Sequence, residues 1–61
     1  MSFSRDDYLG LAAGEAEELA RAQGWQVRRL RPGHMATMDF RDDRLNLLLD
    51  ESDIVTDVTL G

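Results

Sequence analysis

Two hydrophobic rhythms divide this chain, one with a helical period and one that alternates. Over residues 12–23 the apolar positions Ala16, Leu19 and Ala20 recur at helical spacing, with Glu15, Glu17, Glu18 and Arg21 between them. Glu17 and Arg21 stand four apart with the acid first, an arrangement that contributes about 0.3 kcal/mol on a helix surface. Glutamates in the first half also suit the positive end of the helix dipole. Gly24 is a natural stop, and Trp25 just beyond it is placed to fold back on Leu19 or Ala20 as in a Schellman motif. The start is weaker. Ala12 stands where Ser or Thr would cap, and Glu15 supplies only half of a capping box, at a cost of about 1 kcal/mol.

After the helix the pattern changes. Residues 26–30 (Gln-Val-Arg-Arg-Leu) read as a short, partly apolar strand, followed by a Pro32-Gly33 turn of type II character. Residues 44–50 are the clearest strand, with Leu45, Leu47 and Leu49 on one face and Arg44, Asn46 and Leu48 on the other. Residues 50–53 make a polar hairpin turn, and 54–60 a last strand antiparallel to the one before it. Ahead of the helix, residues 1–7 are expected to be flexible, with Phe3 able to pack back on the core, and 8–11 form a turn. The expectation is one α+β domain over 1–61: a helix packed on a small mixed sheet, with residues 31–43 as a long exposed loop. Loops of that length in so small a domain are functional or disordered, and the residues in this one favour function.

Size and charge narrow the possibilities. With 61 residues and no cysteine, the fold has one thin core and neither disulfides nor a Cys-based metal site to staple it. No apolar run approaches the roughly 20 residues needed to span a bilayer. A cytoplasmic location is expected if Met1 is the native start, and a secreted or periplasmic one if an export signal has been removed. The net charge of −5, from twelve acids against seven arginines, argues against nucleic acid and anionic membranes as partners. Enzyme function is not expected: there is a single His, no Cys, and the Ser residues lie in the N-terminal segment or a turn. No cofactor or metal is implied, since the acids of residues 50–53 lack the spacing and Gly of a calcium loop. His34 reads as a solvated loop residue, Met35 as loop packing, Trp25 as core, and Arg28, Arg29 and Arg31 as a small basic patch on a solvated strand face.

The chemistry concentrates in Ala36-Thr37-Met38-Asp39-Phe40-Arg41 and in Arg44, where the strand begins. An apolar, unbranched Met sits between Thr and Asp in the middle of the long loop. With the Leu9-Gly10 step, the helix, Val27 and Leu30 on the first strand, the Gly33 turn and the closing Leu60-Gly61, this stretch resembles the potato inhibitor I family of serine protease inhibitors, which includes eglin and the barley chymotrypsin inhibitors. The correspondence runs without a gap from residue 10 to residue 50. The related elastase-inhibitor-like branch of bacteria and fungi is similar as well.

The resemblance implies that the strands flanking the loop run parallel, and that Met38–Asp39 is the reactive bond offered to a protease. It implies that Met38 is the primary specificity residue, and that Ala36, Thr37, Phe40 and Arg41 line the neighbouring subsites. It also implies that Arg44 reaches up to Thr37 and Asp39 to hold the loop. A second arginine is usual two residues further on, where this chain has Asn46, which is shorter and uncharged. A Met side chain fits the medium-sized hydrophobic pocket of subtilisin-, chymotrypsin- or elastase-like enzymes, whereas trypsin-like enzymes want a cation there. The implied protein is a monomer. The competing reading from another class is an acidic adaptor or antitoxin-like module, binding a basic partner through Glu15, Glu17 or the acids of 50–53.

Overall fold

The computed structural model describes residues 3–32 and 41–61. A 3-10 turn at Arg5–Asp7 precedes the helix α1 (Ala13–Ala22), which is followed by three strands: β1 (Gln26–Leu30), β2 (Arg44–Leu49) and β3 (Val55–Leu60). The sheet order is β1-β2-β3, with β1 parallel and β3 antiparallel to the central β2. The α+β architecture is the one expected, and the parallel pair agrees with the resemblance.

Both helix ends have identifiable causes. No side chain caps the start at Ala12; instead the Asp53 carbonyl accepts the Ala13 N–H at 2.9 Å, so the hairpin turn does part of the missing cap's work. At the other end the Gly24 N–H donates to Arg21 O (3.0 Å) and the Trp25 N–H to Ala20 O (3.0 Å), the two bonds of a Schellman motif. Gly24 sits at φ +91°, where a side chain is disfavoured. The motif turns Trp25 into the interior, where it is 3% exposed and meets Phe3 edge-on, with ring centroids 5.9 Å apart.

The core lies between α1 and one face of the sheet. Ala13, Ala16 and Ala20 form the helix stripe, small enough for close approach, and Leu45, Leu47, Leu49, Val55 and Val58 face it. Leu19 and Val27 pack at its edge. Tyr8 also belongs to this core, which its place in a polar N-terminal segment concealed. That segment is tied down by backbone bonds from Gly10 N–H to Val55 O and from Val55 N–H to Leu11 O, each 2.9 Å. The hairpin turn is fixed by Asp50, whose Oδ1 accepts the N–H groups of Ser52 (2.8 Å) and Ile54 (3.0 Å). This local competition ends β2 at Leu49, one residue earlier than alternation suggested, and starts β3 at Val55. Ile54 instead bridges to Ala12.

Two measurements check this packing. Gly24→Ala is expected to lower the unfolding free energy by about 1 kcal/mol, because alanine must adopt the left-handed conformation; urea denaturation with an unchanged slope would show it. Tyr8, the one tyrosine, should titrate above its ordinary value of 10.0, since burial disfavours the phenolate and Asp7 adds like charge. Its contribution to stability is therefore fully present below about pH 10 and lost as pH rises through the raised folded value. Absorbance near 295 nm during an alkaline titration reads both.

Candidate functional site

Residues 31–43 join two strands that lie side by side and point the same way. The connection must therefore bring the chain from the end of β1 back to the level where β1 began, and a parallel pair needs about a dozen residues or more for this. Its far end is held where β2 begins. The Gln26 N–H donates to Asp43 O at 2.9 Å, the Gln26 side-chain amide reaches Asp43 Oδ2 at 3.4 Å, and Arg41 Nε donates to Asp43 Oδ1 at 3.4 Å. Ala36, Thr37, Met38, Asp39 and Phe40, and with them the expected reactive bond, lie outside the described residues. Of the expected site residues, Arg41, Arg44 and Asn46 fall within them.

Arg44 and Asn46 occupy the face of β2 turned away from the helix, as alternation required. Asn46 is nonetheless 4% exposed, the one buried polar residue among those described. Its neighbours in register are Arg28 on β1 and Thr59 on β3. Asn46 Oδ1 accepts from Arg28 Nε at 2.9 Å, while its Nδ2 donates to Gly61 O at 2.8 Å and Thr59 Oγ1 at 3.3 Å. A guanidinium only donates, so the amide oxygen must face Arg28 and the amide orientation follows from chemistry. The same Gly61 oxygen accepts from Arg44 Nε (3.1 Å) and Arg28 Nη2 (3.3 Å), and the Gly61 N–H returns a bond to Arg44 O at 2.9 Å. Side chains of two strands, β1 and β2, thus meet at one oxygen of the residue after β3. The arrangement can hold two guanidinium groups side by side on the outer face of the sheet, fixed from below and presented outward.

Sequence reasoning missed Arg28. It grouped Arg28, Arg29 and Arg31 as one basic patch, but alternation sends Arg28 and Arg29 to opposite faces of β1, and Arg31 lies beyond the strand. Arg29 turns to the helix side and pairs with Glu17 at 3.0 Å, and Arg31 pairs with Asp53 at 3.2 Å. Arg28 alone joins the Asn46 cluster. The signal that could have found it is the parallel register, which sets residue 28 against residue 46; periodicity carries no information on register between distant strands. Among the described residues no group of acids, His or Cys is arranged to hold a metal ion.

Comparison with known proteins bears on the family. A family model described as the peptidase inhibitor I78 family matches residues 9–61. Among solved structures, the bitter gourd trypsin inhibitor superposes with a TM-score of 0.81 at 25% sequence identity, over 98% of this chain and 93% of that one. The elastase inhibitor AFUEI superposes with a TM-score of 0.72 at 28% identity, over 93% of this chain and 82% of that one. No curated protein matches the sequence. The resemblance to protease inhibitors is thereby supported, through the I78 model, without singling out the potato inhibitor I family. These are inhibitors and not enzymes, in line with the absence of a nucleophile and base pairing in the sequence.

Asn46→Ala is expected to cost about 1–3 kcal/mol of unfolding free energy, because it removes the buried amide's hydrogen bonds to Arg28, Thr59 and Gly61. Chemical denaturation measures the loss.

Proposed function

The chain belongs to the peptidase inhibitor I78 family, and we propose that it inhibits serine proteases of the subtilisin, chymotrypsin or elastase type in a substrate-like, reversible manner. Met38–Asp39 is the bond presented, with Met38 entering the primary specificity pocket and Ala36, Thr37, Phe40 and Arg41 contacting the flanking subsites. The observation that carries this reading is topological. In sequence the Thr37-Met38-Asp39 triplet falls in the middle of a connection whose two ends are fixed by parallel strands.

The geometry bears on mechanism in three ways. Met38 buried in an apolar pocket contributes about 1.5–3 kcal/mol to binding, within a contact of about 1,600 Å² typical of inhibitors. A connection constrained at both ends loses less ordering entropy on binding than a free peptide does. After a cut, the new amino terminus at Asp39 remains five residues from β2, so the severed ends stay close and rejoining competes with release. Arg44 acts through the loop it supports. An exposed arginine–carboxylate pair contributes at most about 1 kcal/mol to folding, so its value lies in holding geometry while the enzyme acts.

The adaptor reading gains nothing from the structure. Glu17 already accepts from both Arg21 and Arg29, Asp53 pairs with Arg31, and Asp50 is spent on the hairpin turn.

The test is inhibition of subtilisin, chymotrypsin, elastase and trypsin by the purified protein, with mass spectrometry of each mixture over hours. Inhibition of the first three but not trypsin is expected, with any slow cut confined to Met38–Asp39. Met38→Lys should move inhibition to trypsin. Absence of inhibition with residues 31–43 intact would overturn the reading.

A further inference from the structure

We propose that Arg31 and Asp53 are a positioning pair of this inhibitor, an inference that rests on the substrate-like inhibition argued above. Together they fix the point at which the connection 31–43 leaves the sheet. Asp53, in the hairpin turn between β2 and β3, has φ +61°, and among the described residues it is the one non-glycine in the left-handed region. Aspartate enters that region more readily than most side chains, yet glycine does so at lower cost. The backbone tasks of Asp53 give no reason for a carboxylate. Its N–H donates to Asp50 O at 3.1 Å and its carbonyl accepts the Ala13 N–H at 2.9 Å, and glycine would serve for both. What glycine lacks is the side chain.

That side chain meets Arg31, with Oδ1 3.2 Å and Oδ2 3.4 Å from Arg31 Nη2. Although the two side chains are about half exposed, Asp53 Oδ1 itself is shut off from solvent and accepts no hydrogen bond. The guanidinium charge beside it is what offsets its own. Arg31 is the first residue after β1, and so the first of the connection that carries Met38–Asp39 in sequence. Register explains the encounter. Leu30 lies opposite Leu48, which sets the end of β1 beside the end of β2, where the 50–53 turn begins. Because Asp53 is bonded to the helix start and to Asp50, the departing chain is referenced to α1 and the hairpin as well as to β1. The other end of the connection is tied in the same manner, by Asp43 to Gln26 at the start of β1. Each end is thus fastened to an element other than the strand it continues. An exposed pair adds little to folding. Its effect lies in fixing where the connection starts, which lowers the ordering entropy lost when a protease binds.

The test measures, for wild type and variants, the inhibition constant against subtilisin, the rate of cutting at Met38–Asp39 and the urea-unfolding midpoint. Asp53→Gly separates the two roles of the residue. Glycine takes the same φ at lower cost and keeps both backbone bonds, so the midpoint should stay near wild type. Inhibition should nonetheless weaken by about 2- to 5-fold, the range open to an exposed arginine–carboxylate pair, with cutting faster by a similar factor. Arg31→Gln should do the same, and it serves as the readout if Asp53→Gly does not fold. The double variant should be no worse than either single one, the mark of one shared interaction. Arg31→Lys, which keeps the charge, should recover part of the loss. If wild type inhibits and both single variants inhibit as tightly and are cut as slowly, the pair has no positioning role. If the losses add in the double variant, Arg31 and Asp53 act separately and the proposal falls. If wild type itself does not inhibit, the functional reading fails first and this inference with it.

Discussion

The parallel pairing of β1 with β2 is the constraint on which the rest of this structure depends. Antiparallel neighbours close with a two-residue turn, but parallel ones force the chain to travel back the length of the strand before it pairs. In 61 residues that return takes 13 positions, 31–43. The same pairing decides which side chains become neighbours. It sets Gln26 against Arg44 and Arg28 against Asn46, so the segment's closing contact and the arginine cluster both follow from one register.

What remains for the core is small, and its economy shows in the helix stripe. Ala13, Ala16 and Ala20 let α1 lie close on Leu45, Leu47 and Leu49, and the bulk is supplied by Trp25, Tyr8 and the strand side chains. With no disulfide available, the termini are drawn in by backbone bonds instead. Residues 10–13 run along 53–55, and Gly61 returns to Arg44. Each of these contacts also does a second task. Asp53 caps the helix while it turns the hairpin, and Gly61 ends the sheet while it anchors two arginines.

Much of this was legible in the sequence, and what was not has a physical reason. The helix limits followed from Gly24 and the 16-19-20 spacing, and the inward face of β2 from strict alternation at Leu45, Leu47 and Leu49. The Schellman turn at Trp25 was readable because its two hydrogen bonds are local. Tyr8 was missed because a single aromatic in a polar stretch has no period. The Asn46 cluster was missed because it joins residues 28, 46, 59 and 61, which only tertiary register brings together. A local rule also hid Arg28: three arginines in four positions look like one patch until a two-residue period sends neighbours to opposite faces.

The cluster shows why an uncharged residue can suit the centre of a group of arginines. A second arginine at position 46 would put its charge into a place that is 4% exposed here, with Arg44 two residues away on the same face and Arg28 directly across. Burying a charge without a partner is far costlier than burying an amide whose hydrogen bonds are met. Asn46 has both an acceptor and a donor, so it can hold Arg28 on one side and the Gly61 oxygen on the other. A cation can only donate, and would compete with Arg28 for that same oxygen. Arg28 and Arg44 are half-buried, with the neutral amide of Asn46 beside them. Burial at position 46 thus favours a neutral amide, and the parallel register is what sets Arg28 against it.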